Sequence, residues 1–199
     1  NGIAVTVGGN SLSGTAASNY TVTQPSGLTA NITPAALTVT ARADSKFVTQ
    51  NDATGFNGAT ITGFVGGETS SDLGGSLTVT RTNATQNNAN VYTGVLQPSG
   101  LTSNNYNIQF LPGDYTIVPA QTLIVKVTNA TTTYGSAPTL VPTSVEYLDG
   151  ANVLKQLTQS AASGNTYTYI DGVGGSATFT LTATGTTSTG GHLIVGDYS

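Results

Sequence analysis

Apolar residues in this chain alternate with threonine instead of recurring at helical spacing. Leu37-Thr-Val39-Thr-Ala41, Leu77-Thr-Val79-Thr80 and Ala177-Thr-Phe179-Thr-Leu181-Thr182 each send every second side chain to one face. A period of two is the mark of a half-buried strand. Threonine is branched at Cβ and suits a pleated surface better than a helix. Gly-Gly, Asn-Gly, Asp-Gly and Pro steps interrupt these runs and supply turns. The expected architecture is all-β, with many short strands and thin cores.

Strands are predicted at Ile3–Val7, Tyr20–Thr23, Leu37–Ala41, Ala59–Ile61, Leu77–Thr80, Tyr106–Phe110, Tyr115–Val118, Leu123–Thr128, Ser144–Leu148, Thr166–Ile170 and Ala177–Thr182. Asp149-Gly150 lies between Ser144–Leu148 and Val153–Leu157, which predicts a short hairpin, since both central residues of a type I′ turn need φ > 0. Two segments compete as helices. Thr69–Leu73 has room for one short turn. Ala151–Ala162 puts Val153, Leu154, Leu157 and Ala161 on one helical face, although Thr158, Ser160 and Ser163 weaken it.

Composition narrows the function. Only 37% of the 199 residues are apolar and 7% charged, against about 45–50% and about 25% in an average globular domain. The five cations, Arg42, Lys46, Arg81, Lys126 and Lys155, are scattered in a chain of net charge −4. Without a basic patch, phosphate neutralisation and hence nucleic-acid binding are disfavoured, as is a cationic membrane-surface helix. No apolar run approaches the roughly 20 residues of a membrane span. Cysteine is absent, which removes disulfides and thiolate metal sites and leans toward a bacterial secreted protein. The chain opens in mid-pattern at Asn1, so it is expected to be a piece of a longer polypeptide with its targeting signals elsewhere.

An internal repeat organises the sequence. Asn19-Tyr20-Thr-Val leads to Ile32-Thr-Pro34-Ala35 and then Leu37-Thr-Val39. Asn105-Tyr106-Asn-Ile leads to Ile117-Val-Pro119-Ala120 and then Leu123-Ile-Val125. The tyrosines are 106 − 20 = 86 apart and the prolines 119 − 34 = 85 apart. Ser26-Gly-Leu-Thr29 and Ser99-Gly-Leu-Thr102 also recur, but on opposite sides of the tyrosine. A period this long implies one small domain per repeat rather than the short coil of a β-helix. The Pro-Ala steps then read as junctions.

These residues resemble a known family. Pro34-Ala-Ala-Leu-Thr-Val-Thr, Ala43-Asp-Ser-Lys46, Gly63-Phe-Val-Gly-Gly-Glu68, Leu73-Gly-Gly-Ser-Leu77 and Asn105-Tyr-Asn-Ile…Tyr115-Thr-Ile-Val-Pro119 make residues 34–118 similar to the glycine-rich MBG domain of bacterial adhesins. One departure stands out: the family shows Tyr-Gly after the lysine, and this chain has Phe47-Val48. Residues 1–33 look like the C-terminal part of the related YDG repeat. Thr133-Tyr-Gly-Ser-Ala-Pro138 looks like the start of a further unit, so residues 119–199 are expected to be another repeat, cut off near Asp197-Tyr198. Such repeats are similar to those of large filamentous, haemagglutinin-like adhesins exported by the two-partner route. The resemblance implies an extracellular stalk in cell adhesion or biofilm matrix, and no catalytic residues.

Each chemical signal has a plainer reading beside it. His192 is the sole histidine and could partner Asp197, but no Gly-x-Ser-x-Gly elbow accompanies it. Gly172-Val-Gly174-Gly-Ser-Ala177 has the letters of a dinucleotide fingerprint but leads into a strand, where that motif needs a helix. Asp44 with Asp52, or Glu68 with Asp72, could share Ca²⁺, yet no Asp-rich loop exists. A glycosidase pair among the nine acids is not favoured by anything in their placement. Lys126 shares a face with Ile124 and raises a Lys–Asn crosslink, with Asn129 near in sequence. Asn19, Asn31, Asn83 and Asn129 sit in glycosylation acceptor patterns. Tyr92, Tyr106, Tyr115, Tyr134, Tyr147, Tyr167 and Tyr169 offer aromatic surface for a glycan, although core and junction roles are expected of most.

The reading is therefore tandem small β-domains, Ig-like sandwiches or β-grasp-like units with at most a short helix each. No enzyme activity, catalytic residue, metal or cofactor is expected. The expected partners are neighbouring repeats of the same chain. The alternative is a module that binds host or matrix glycans.

Overall fold

A computed structural model describes residues 2–196. Every sheet draws its strands from one of the three segments bounded by the Pro-Ala steps. In the first, β1 (Ile3–Val5) and β2 (Leu28–Ala30) form a two-stranded antiparallel ladder. Its apolar residues stay in solvent, with Tyr20 68% and Ile32 73% exposed. A lone two-stranded ladder has no second layer to bury a face against. Tyr20–Thr23, expected as a strand, instead follows a 3₁₀ turn at Ala17–Asn19 as irregular chain. Its repeat counterpart at Tyr106 is a strand because a neighbouring strand is there to pair with it.

The second segment holds β3 (Ala35–Ala41), β4 (Asp44–Phe47), β5 (Ala59–Thr62), β6 (Gly74–Arg81), β7 (Asn90–Thr102), β8 (Tyr106–Leu111) and β9 (Gly113–Val118). They form two sheets, ordered β5-β3-β8 and β4-β9-β7-β6. The first two strands pair parallel with the last two, Leu37 opposite Ile108 and Lys46 opposite Ile117. Parallel partners cannot be joined by a tight turn, so the segment closes only when its two ends meet. Alternation buries Leu37, Val39 and Ala41 from β3, and Ala41 clusters with Tyr115 and Ile117 of β9, Val79 and Leu96. Gly113 sets the spacing between the sheets: a Cβ there would lie 2.4 Å from the Ala41 carbonyl oxygen. Ser70–Asp72 is the expected short turn, a 3₁₀ helix closed by a Thr69–Asp72 capping box.

The third segment carries β10 (Leu123–Val127), β11 (Pro142–Leu148), β12 (Leu154–Gln156), β13 (Thr158–Ser163), β14 (Thr166–Ile170) and β15 (Ser176–Thr180). It forms two antiparallel three-stranded sheets around Val145, Tyr167 and Tyr169. The helix considered over Ala151–Ala162 does not form. β12 pairs with β11, and the Leu157 amide bonds the Val145 carbonyl at 2.9 Å, so ladder pairing wins over a weak helical face. The predicted hairpin is present but its turn is longer than two residues. The Asp149 carboxylate accepts from the Ala151 and Val153 amides, and Asn152, not Gly150, takes the positive φ of 61°. An aspartate that bonds the backbone two residues on builds its own turn.

Candidate functional site

The chain's buried charge and its junction packing meet at one place, on and after β4. The sequence here is Asp44-Ser-Lys-Phe47, with no apolar alternation, yet Asp44, Lys46 and Phe47 are all buried. Pairing with β9 holds the strand in place, and each buried group has its own partner.

Phe47 points into the link between the second and third segments. Its ring is fully buried in a cluster with Ile124 of β10 and Leu148 of β11, flanked by Val48, Val118, Ala120 and Tyr147. The Gln121 amide, in a residue held at φ 65°, donates to the Leu148 carbonyl at 2.7 Å. Lys126 reaches back from β10 to the Asp44 carboxylate at 3.4 Å. The departure from Tyr-Gly thus falls where a ring is sealed between units. A tyrosine hydroxyl in such a site would need a hydrogen-bond partner, and phenylalanine does not.

Beside it, Lys46 Nζ lies 2.8 Å from Asp52 Oδ1 and donates to Asn87 Oδ1 at 2.7 Å. Arg81 Nε holds the other carboxylate oxygen, Oδ2, at 2.8 Å, and the Tyr115 hydroxyl donates to Oδ1. The remaining Arg81 nitrogens bond the Gln86 and Ala84 carbonyls. One guanidinium therefore fixes both the carboxylate and the loop that carries Asn87. Its carbon also stands 4.9 Å from the centre of the Tyr115 ring. Partial burial alone would raise the Asp52 carboxyl, but hydrogen bonds and charge from Lys46 and Arg81 outweigh it and hold it below its usual range. Burial, and then the charges of Asp52 and Asp44, push the Tyr115 phenol upward. An open groove of about 390 Å³ runs past this network, lined by Ser45, Lys46, Thr49, Gln50, Tyr115 and Lys126 among others.

The residues singled out in the sequence are dispersed. Lys126 pairs with Asp44, not with Asn129. Asp44 and Asp52 each bind cations of the chain itself, Glu68 accepts from the Tyr106 hydroxyl, and Asp72 caps the 3₁₀ turn. Among the described residues no three potential ligands group into a metal site. His192 lies edge-on to Tyr134, and Asp197, its suggested partner, is outside the described residues. The Gly172–Ala177 stretch turns on the Asp171 carboxylate and enters β15. Tyr106, Tyr115, Tyr167 and Tyr169 are buried, Tyr92 and Tyr147 half-buried, and Tyr134 is exposed. They do not form one aromatic platform. Of the acceptor asparagines, Asn31 takes the Gly2 amide, and the Asn83 side-chain oxygen is buried without a hydrogen-bond partner. Sequence reasoning missed Lys46, Arg81 and Asn87 as a group. The Ala43-Asp-Ser-Lys46 motif was visible, but its partners lie 41 and 35 residues away (87 − 46 and 81 − 46).

The family profile of the MBG domain (YGX type) matches residues 37–116. No curated protein and no solved structure matches the chain.

Proposed function

We propose, starting from the membership of residues 37–116 in the MBG domain family (YGX type), that this chain is a run of spacer repeats in an extracellular bacterial adhesin. In this reading it holds an adhesive region away from the cell, in adhesion or biofilm matrix, and performs no turnover. Its partners are the repeats on either side. The observation that carries the reading is the sealed cluster of Phe47, Ile124 and Leu148 across the Pro119-Ala120 link. A free linker would let successive domains swing, as small polar interfaces do by default. Here a ring and an ion pair tie one unit to the next, and a stalk built this way resists bending through nearest-neighbour contacts. No helix among the described residues is long and apolar enough to cross a membrane.

The test is the distance distribution between spin labels on exposed strand positions such as Thr78 and Thr178. A narrow distribution that Phe47→Ala broadens supports a stiff spacer. A broad one in the unaltered chain overturns it. The groove beside Lys46 favours a second reading, a module that binds host or matrix glycans. Saturable binding on a glycan array, lost in Lys126→Ala and Tyr115→Phe, would favour that reading.

A further inference from the structure

We propose that Lys46 and Asn87 join through an intramolecular isopeptide bond, with Asp52 carrying the proton between them. The three groups meet although they come from β4, the following loop and the β6–β7 loop. Lys46 Nζ is 2.7 Å from the carboxamide oxygen of Asn87 and 2.8 Å from Asp52 Oδ1. The lysine side chain is 6% exposed. An amine held against a carbonyl is a bimolecular reaction made intramolecular, with much of its entropic cost already met.

The step balances without any outside reagent. Asp52 takes a proton from the Lys46 ammonium, which frees the nitrogen lone pair. The amine attacks Asn87 Cγ, the Cγ–Nδ2 bond breaks, and Asp52 returns the proton to the leaving nitrogen. One Nζ–Cγ amide forms and one ammonia departs, protonated in water by the second ammonium proton. No atom is oxidised or reduced. Arg81 acts as a positioning residue. It grips Asp52 Oδ2 so that Oδ1 faces the amine, and its bonds to the Ala84 and Gln86 carbonyls hold the Asn87 loop over it. The Tyr92 hydroxyl steadies the same loop through the Asn88 carbonyl.

The sheet order shows what such a bond would do. β4 is an edge strand in β4-β9-β7-β6, held on one side by β9 alone. Phe47 and Asp44 also connect it to the next unit. A covalent tie from Lys46 to the β6–β7 loop would anchor that edge to the far side of β9, so pull arriving through the junction could not peel it away. This mechanical benefit rests on the stalk reading; the bond itself does not.

Mass spectrometry of the whole chain tests the bond independently of function. The expected result is an intact mass short by one ammonia. After denaturation and trypsin, cleavage after Lys46 fails, and residues 43–81 appear joined to residues 82–126 as one branched peptide. Lys46→Arg and Asn87→Ala restore the full mass. Full sequence mass in the unaltered chain, with cleavage after Lys46, overturns the proposal. So does an ammonia loss that survives in Lys46→Arg, since it would then come from another asparagine, such as Asn57 before Gly58.

Discussion

Lys126 Nζ lies 3.4 Å from Asp44 Oδ1, and the two residues stand on opposite sides of the Pro119-Ala120 link. The aspartate side chain is 2% exposed and the lysine 38%. The lysine thus neutralises a buried charge while staying partly in water itself. Lys126→Ala is expected to lower stability by about 1 kcal/mol, the upper end for an ion pair of this exposure. Denaturant unfolding of both chains checks the size. Asp44→Asn in the same background should recover part of the loss, because it removes the stranded charge.

Phe47→Ala removes a fully buried ring, which costs about 3–5 kcal/mol in a packed core. Its effect should spread to both sides of the link. Hydrogen exchange is expected to quicken at Leu148 and Ile124 as well as along β4. Exchange that changes only within residues 34–118 would show that the ring serves the second unit alone.

At Gly113 a methyl group would meet the backbone of Ala41, at 2.4 Å from its oxygen and 2.9 Å from its carbonyl carbon. Backbone cannot move aside as a flexible side chain can. Gly113→Ala should therefore cost about 1–3 kcal/mol through overpacking, although it adds only one carbon. Thermal unfolding measures this, and a neutral outcome would mean that the sheets can separate there.

Acid should destabilise the protein through Asp52, Asp149 and Asp171. All three carboxyls are held below their ordinary value of 3.8 in the folded chain before any Lys46–Asn87 amide forms: Asp52, against the opposing effect of burial, by Lys46 and Arg81, of which only Arg81 keeps its charge once Lys46 is amidated, Asp149 first by the Val153 amide, and Asp171 first by the Val173 amide. A depressed folded pKa means that the unfolded chain binds protons first. The contribution is complete above the unfolded value and disappears as pH falls through the folded one. Stability should hold from neutrality down to about pH 4 and then decline. Asp52→Asn should be less stable at neutral pH, and its gap from the unaltered chain should narrow as the pH drops. Denaturant midpoints from pH 7 to pH 2 check both points.

Much of the fold was legible because β-structure announces itself locally. β3, β6, β14 and β15 contain alternating threonine and apolar runs, and Pro34 and Pro119 mark where one ladder ends and another begins. β4 and β7 escaped notice for the opposite reason. Asp44-Ser-Lys-Phe47 carries two buried charges, and the 13 residues of β7 include Gly94, Pro98 and Gly100. Local propensity speaks against both, and cross-strand pairing overrides it. The candidate site was hidden in the same way, since no local pattern marks a lysine whose partners come from the loop after its strand and from a loop 41 residues away (87 − 46).

The sequence by itself determined that this chain makes strands rather than helices, and it put Pro34 and Pro119 where one set of sheets gives way to the next. A period of two and a proline are properties of neighbouring residues, so they are written along the chain. Tertiary structure alone decided that the first strands of the second unit run parallel to its last. It alone put Phe47 between two units and brought Lys46, Asp52, Arg81 and Asn87 together. The reason is physical. Parallel pairing and buried charge are favourable only when segments far apart in the chain arrive at the same place, and the closing of those loops leaves no trace in the order of residues.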